Sequence, residues 1–254
     1  MSATLARGCG SETSKVSKSY DQDKIKKSHI DYEANRLVTT LRNDKGHEVS
    51  VEWLVSDNDV AFRYVIPRQN NGETGAMVVR SEATGYRFPG ETKVFLTSHS
   101  EPMIGWKRTK PSYEEYYITD AAMDTPSQFG RGFTFPGLFR VGDKGWALLS
   151  ETGVDGYYCA SHLSDYNDGV FSIAYPMPEE NNGNGSAAPG IALPASTPWR
   201  TITVADNLAP IVETTIPWNV VEPRYETSRP GRPGRGTWSW IVWQDNSMNM
   251  DDQK

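Results

Sequence analysis

The chain reads as an all-β protein, an antiparallel sandwich, on three observations. Period-two apolar alternation recurs in three consecutive segments. Short apolar runs are bounded throughout by Gly, Pro, Asn and Asp. No segment before residue 205 shows a helical period. The alternation begins with Leu37, Thr39 and Leu41, and Asn43-Asp44-Lys45-Gly46 then turns the chain. Val49, Val51, Trp53 and Val55 follow, then the turn Ser56-Asp57-Asn58-Asp59, then Val60, Phe62, Tyr64 and Ile66. Three such segments in series predict a meander with one buried face. Further short strands are expected at residues 76–82, 93–96, 114–119, 169–175 and 200–204.

Residues 129–165 contain the strongest hairpin pattern. Two aromatic runs, 133–141 and 146–149, flank Gly142-Asp143-Lys144-Gly145, whose Gly and Asp suit a tight turn. The second run ends on a carboxylate, Glu151, before Gly153, Asp155 and Gly156. A carboxylate at a strand end beside a Gly-bounded loop is held in place yet open to a ligand. The plain alternative is a solvated glutamate.

Three segments depart from this grammar. Residues 1–30 are rich in Ser, Lys and Asp and are read as poorly ordered. Residues 176–199 are too rich in Gly, Pro and Asn for a strand and read as a long loop. The stretch 223–236, ending RPGRPGRG, reads as a linker between a sandwich at 31–222 and a new unit at 237–254.

Composition narrows the functional classes. The 254 residues carry a net charge of −6 with no basic stripe, which argues against a nucleic-acid partner. Two cysteines, Cys9 and Cys159, are too few for a disulfide scaffold. No apolar run reaches the ~20 residues of a membrane-spanning helix, so no membrane is expected. Residues 1–27 lack the apolar core of a secretory signal.

Six phrases, in order, carry a resemblance: DVAFRYVIP (59–67), GYRFPGET (85–92), PMIGWKRTKPSYEEYY (102–117), LLSETGVDGYYCASHLSDY (148–166), PWRTITVADNLAPIVETT (198–215) and GRGTWSWIVWQDNS (234–247). Together they resemble the N-terminal domain of glycoside hydrolase family 97, calcium-dependent α-glucosidases and α-galactosidases. The resemblance implies an antiparallel β-super-sandwich, with residues 238–243 as the first strand of a truncated (β/α)8 barrel. It also implies that the earliest strands of the family's domain are missing from residues 1–27.

The family's catalytic carboxylates lie on that barrel, so the resemblance implies no catalytic residue in this chain. It places one metal ligand here, Glu151, binding Ca2+ shared with the missing catalytic barrel and held weakly or not at all by this chain alone. The implied substrate is an α-linked oligosaccharide, and the stretches PMPEENNGNG (176–185) and WSWIVWQDNS (238–247) lean towards glucosides. The family acts in the periplasm or outside the cell.

Other residues carry a sharp and a plain reading. Asp155 is a second metal ligand or a turn residue. Trp106, Lys107 and Arg108 form a sugar platform, or a packed Trp whose neighbours pair with Glu114 and Glu115. Glu179 and Glu180 are a catalytic pair, or loop residues facing opposite ways. His99 and His162 are structural, or serve a mutarotase-like enzyme, since mutarotases share super-sandwich folds and use a His with a carboxylate. A free-standing carbohydrate-binding module is the remaining alternative.

Overall fold

The computed structural model describes residues 7–22, 25–69, 75–99, 117–143, 145–178, 180 and 186–223. The expected linker beyond Pro223 and barrel strand lie outside these residues.

The meander is present as β2 (His29–Arg42), β3 (Glu48–Val55) and β4 (Asp59–Ile66), paired antiparallel. Its first turn follows from Asn43, whose Oδ1 accepts from the amides of Lys45 and His47, and from Gly46 at φ 79°. The remaining strands are β5 (Ala76–Val78), β6 (Gly85–Tyr86), β7 (Lys93–Ser98), β8 (Tyr117–Ala122), β9 (Phe133–Val141), β10 (Gly145–Thr152), β11 (His162–Leu163), β12 (Phe171–Ala174), β13 (Gly190–Ala192), β14 (Ala195–Ser196) and β15 (Trp199–Ala205). The expected hairpin is β9–β10, with Leu148 opposite Leu138. Residues 176–199 are not wholly loop, because β13 pairs β5 and β14 pairs β4.

One curled sheet runs β2-β3-β4-β15-β10-β9-β11-β12-β6, with β7 also on β9 and β8 on β7. The curl encloses a core in which Val94, Leu96, Phe133, Phe139, Leu163 and Phe171 have no exposed surface. Burying such a side chain is worth about 1.5–3 kcal/mol, more than an exposed ion pair provides. The core, not surface charge, therefore holds the curl closed.

The meander departs from the one-buried-face expectation. Val51, Trp53 and Phe62 pack into this core, while Leu54 and Ala61, one residue along, are buried in a second cluster with Ile30, Tyr32, Ala34 and Trp199. One short helix, α1 (Leu208–Glu213), with Ile211 buried, lies against β15 and β10, while another, α2 (Ile216–Val220), closes this second cluster through Ile216. Asn207 caps α1 by accepting from the Ala209 amide at 2.9 Å, and Pro217 suits the first turn of α2.

The poorly ordered segment expected at 1–30 is corrected. Arg7–Asp21 forms β1, a 15-residue strand paired along its length with β2. It is an edge strand, and only Val16, Lys18 and Tyr20 turn towards the second cluster; the outer positions are polar and lysine-bearing, as edges require. That composition imitates disorder because the strand buries few side chains. Its inner end is tied down by Tyr20, which donates to Asn219 Oδ1 at 2.6 Å, and by a Lys18–Glu222 ion pair.

Deleting residues 1–21 should lower the melting temperature by several degrees, because it uncovers Ile30, Tyr32 and Ala34. A melting temperature that does not move would show that β1 contributes nothing to the domain.

Candidate functional site

Strand β15 lies between β4 and β10 and places Arg200 directly opposite Glu151. Arg200 has no exposed surface. Its Nε donates to Glu82 Oε1 at 3.0 Å and its Nη2 to Glu82 Oε2 at 2.6 Å, a bidentate pair. Its Nη1 donates to Glu151 Oε2. Burial alone would lower the Arg200 pKa, but Glu82 and Glu151 outweigh it and hold the guanidinium more firmly protonated than usual. Glu82 comes from the segment between β5 and β6, so this pairing fastens that segment to the sheet.

Glu151 is therefore in place, but it is not open. Its side chain is 9% exposed, and it also accepts from Ser161 N and Ser161 Oγ, each at 2.8 Å. The adjacent Cys159 thiol is pushed up to about 11, by burial first and by the Glu151 charge second. Calcium requires 6–8 oxygens. One carboxylate already bonded to a guanidinium and a serine does not meet that demand. No group of three or more His, Cys, Asp or Glu among the described residues could hold a metal ion. The residues described here do not by themselves fit calcium.

Asp155 takes the plain reading, since its Oδ1 accepts from the Tyr157 amide at 2.8 Å in the loop after β10. Beside that loop, Thr152, Gly153, Val154, Tyr20, Trp218 and Val221 border an open groove of about 980 Å3. Trp106, Lys107, Arg108, Glu114, Glu115 and Glu179 lie outside the described residues.

The structure joins two residues the sequence kept apart. His99 Nε2 lies 3.1 Å from Glu180 Oε1, and the His99 ring stacks on His162 with centroids 4.5 Å apart. Glu180 also accepts from the Met177 amide at 2.9 Å, which closes a tight turn after β12. Burial first, and His99 second, push His162 down to about 4 from its ordinary 6.5. The Arg200 cluster was missed as well. Its one sequence signal was a charged residue inside WRTITV, where an inward arginine demands counter-charges.

The His162 shift gives a pH dependence of stability. Folding favours the neutral ring, so its contribution is complete above pH 6.5 and is lost as pH falls towards 4, where only the unfolded chain takes up the proton. Urea denaturation at pH about 7 and about 5 should show this loss, and His162→Gln should remove most of it. The same slope in both proteins would contradict the assignment.

Comparison with known proteins places this geometry in a lineage. The family profile described as "Glycosyl-hydrolase 97 N-terminal" matches residues 4–223, so β1 belongs to the matched domain, which corrects the expectation that residues 1–27 hold nothing of it. A solved structure titled "Crystal structure of beta-arabinopyranosidase" is 55% identical with a TM-score of 0.88, covering 98% of this chain and 39% of that one. A curated protein of Streptomyces bingchenggensis (strain BCW-1), named "Probable retaining alpha-galactosidase", is 26% identical over 251 residues, 94% of this chain and 34% of its own length. A family 97 enzyme of Pseudoalteromonas sp. strain K8, solved with acarbose, shares the fold at a TM-score of 0.67 and 19% identity, covering 86% of this chain and 30% of its own. The chain thus spans between a third and two fifths of the first two relatives. With the profile matching all the strands described above, the chain belongs to the glycosyl-hydrolase 97 family and corresponds to its N-terminal domain.

Proposed function

We propose that this chain serves as the accessory domain of a family 97 glycosidase, completing and supporting an active site whose acid and base stand on another domain. The observation that supports this most is how its buried carboxylates are used. Glu151 and Glu82 are committed to Arg200, and Glu52 to Arg36 and Arg63. Asp59 accepts from Thr203 and Thr214, and Asp165 from Ser127. Glycoside hydrolysis needs two carboxyl groups free to face one bond, one to protonate the leaving oxygen and one to attack or to activate water. Of these only Asp59 keeps an oxygen without a partner among the described residues, on Oδ2, and one such carboxylate is not the pair the reaction needs.

The substrate class we infer for the complete enzyme differs from the glucoside expected above. A β-L-arabinopyranoside is an α-D-galactopyranoside without its C6 hydroxymethyl group. The 55% identical relative is named a beta-arabinopyranosidase and the 26% identical one a retaining alpha-galactosidase, and with arabinose taken as the L sugar the two names share one stereochemistry. An α-galactoside-like sugar is accordingly the proposed substrate. Calcium binding by the isolated chain is proposed to be weak, because Glu151 would have to exchange Arg200 or Ser161 for the ion.

One observation supports a second reading, a sugar mutarotase: the contact of His99 with Glu180 beside a neutral His162. Both readings meet in one set of assays on the purified chain. Neither p-nitrophenyl β-L-arabinopyranoside nor p-nitrophenyl α-D-galactoside should be hydrolysed, and calorimetry with calcium should give little heat. Hydrolysis abolished by a substitution within residues 7–223 would overturn the accessory role. Accelerated mutarotation of galactose that His99→Gln abolishes would establish the second reading.

A further inference from the structure

A second polar cavity lies away from Arg200, where the start of β2, the β3–β4 turn and α2 meet. It has a volume of about 520 Å3. Tyr32 and Asp59, both among its lining residues, are 4% and 9% exposed. The Tyr32 hydroxyl is buried with no hydrogen-bond partner, although a buried hydroxyl ordinarily has one. Asp59 accepts from the hydroxyls of Thr203 and Thr214, both on Oδ1, so Oδ2 keeps its acceptor capacity among the described residues. Burial first pushes the Asp59 carboxyl up, against the two threonines that favour its charge. Burial, and then the Asp59 charge, push the Tyr32 phenol up to about 12, so it stays protonated and able to donate.

The lining limits what could fill the space. Asp31 and Asp57 are also among its residues, and an anion would meet them together with Asp59. Lys27 and His29 offset part of that charge; Lys27 sits 3.6 Å from Glu213, and His29 bridges Asp21 at 2.7 Å and Asp31 at 3.4 Å. A metal ion is disfavoured, since no described group of three ligating side chains could hold one. The polar walls suit no apolar ligand. A ligand that both donates and accepts, with several hydroxyls in a small volume, matches donors and acceptors set side by side.

We propose that this cavity binds a neutral polyhydroxylated molecule of monosaccharide size, with Tyr32 and Asp59 as its anchoring pair. The site would be an accessory sugar-binding site on the domain itself, independent of any catalytic domain and of Glu151.

Calorimetry on this chain tests it, with L-arabinose and D-galactose as probes and calcium chloride as a third titrant. At least one sugar should bind with a Kd on the order of millimolar. Tyr32→Phe, which removes only the orphaned hydroxyl, and Asp59→Asn should each weaken that binding about tenfold or more. Val154→Ala, in the exposed loop after β10, should leave it unchanged, which separates this site from the groove bordered by that loop. Thermal melts identify any variant that fails to fold, and binding is read from the one that does. No heat from either sugar at about 100 mM, far above the expected Kd, would overturn the proposal. So would sugar binding indifferent to both variants, or calcium binding that Asp59→Asn abolishes.

Discussion

Arg200 carries its charge at a position with no exposed surface, and the surrounding chain is arranged to make that tolerable. An isolated buried guanidinium would cost several kcal/mol or more, and the pairing with carboxylates is what offsets it. Glu151 comes from the neighbouring strand and Glu82 from the segment between β5 and β6. The requirement for both carboxylates sets the register of β10 on β15 at this point, since a one-residue slip would turn Glu151 to the other face. It also fixes Ser161, whose amide and hydroxyl complete the Glu151 carboxylate. Strand pairing, loop path and the placement of the one carboxylate marked by the family resemblance thus depend on a single side chain.

The same logic recurs on the meander. Glu52 is buried, and burial alone would raise its pKa, but Arg36 and Arg63 outweigh that and hold the carboxyl below its ordinary 4.5. Arg63 also lies over the Trp199 ring at 4.3 Å, joining the charged side of β4 to the second apolar cluster. Charges thus cross the sheet in neighbour-to-neighbour pairs, while the aromatic core fills the curl.

Much of the sheet was legible because alternation and turn chemistry are local. Phe133–Val141 and the Asn43–Gly46 turn could be read residue by residue. β1 could not be, because an edge strand with three half-buried positions has the composition of a disordered tail. The two-sided burial of β3 and β4 was hidden for a different reason: Glu52 looks solvent-facing until Arg36 and Arg63 are brought to it from other strands. At the site, Glu151 was found through family resemblance, but its commitment to Arg200 is 49 residues away in sequence and has no local signature. The contact of His99 with Glu180, 81 residues apart, is hidden in the same way. Local pattern reveals strands, whereas charge partners are a property of the fold.

If Arg200 is the constraint the domain is built around, removing its charge alone should be worse than removing the whole cluster. Urea denaturation of Arg200→Met should show a loss of about 3–5 kcal/mol, because two buried carboxylates lose their counter-charge. Adding Glu82→Gln and Glu151→Gln to that variant should restore most of the stability. A loss below about 1 kcal/mol for Arg200→Met, or a triple variant no more stable than the single one, would contradict the account.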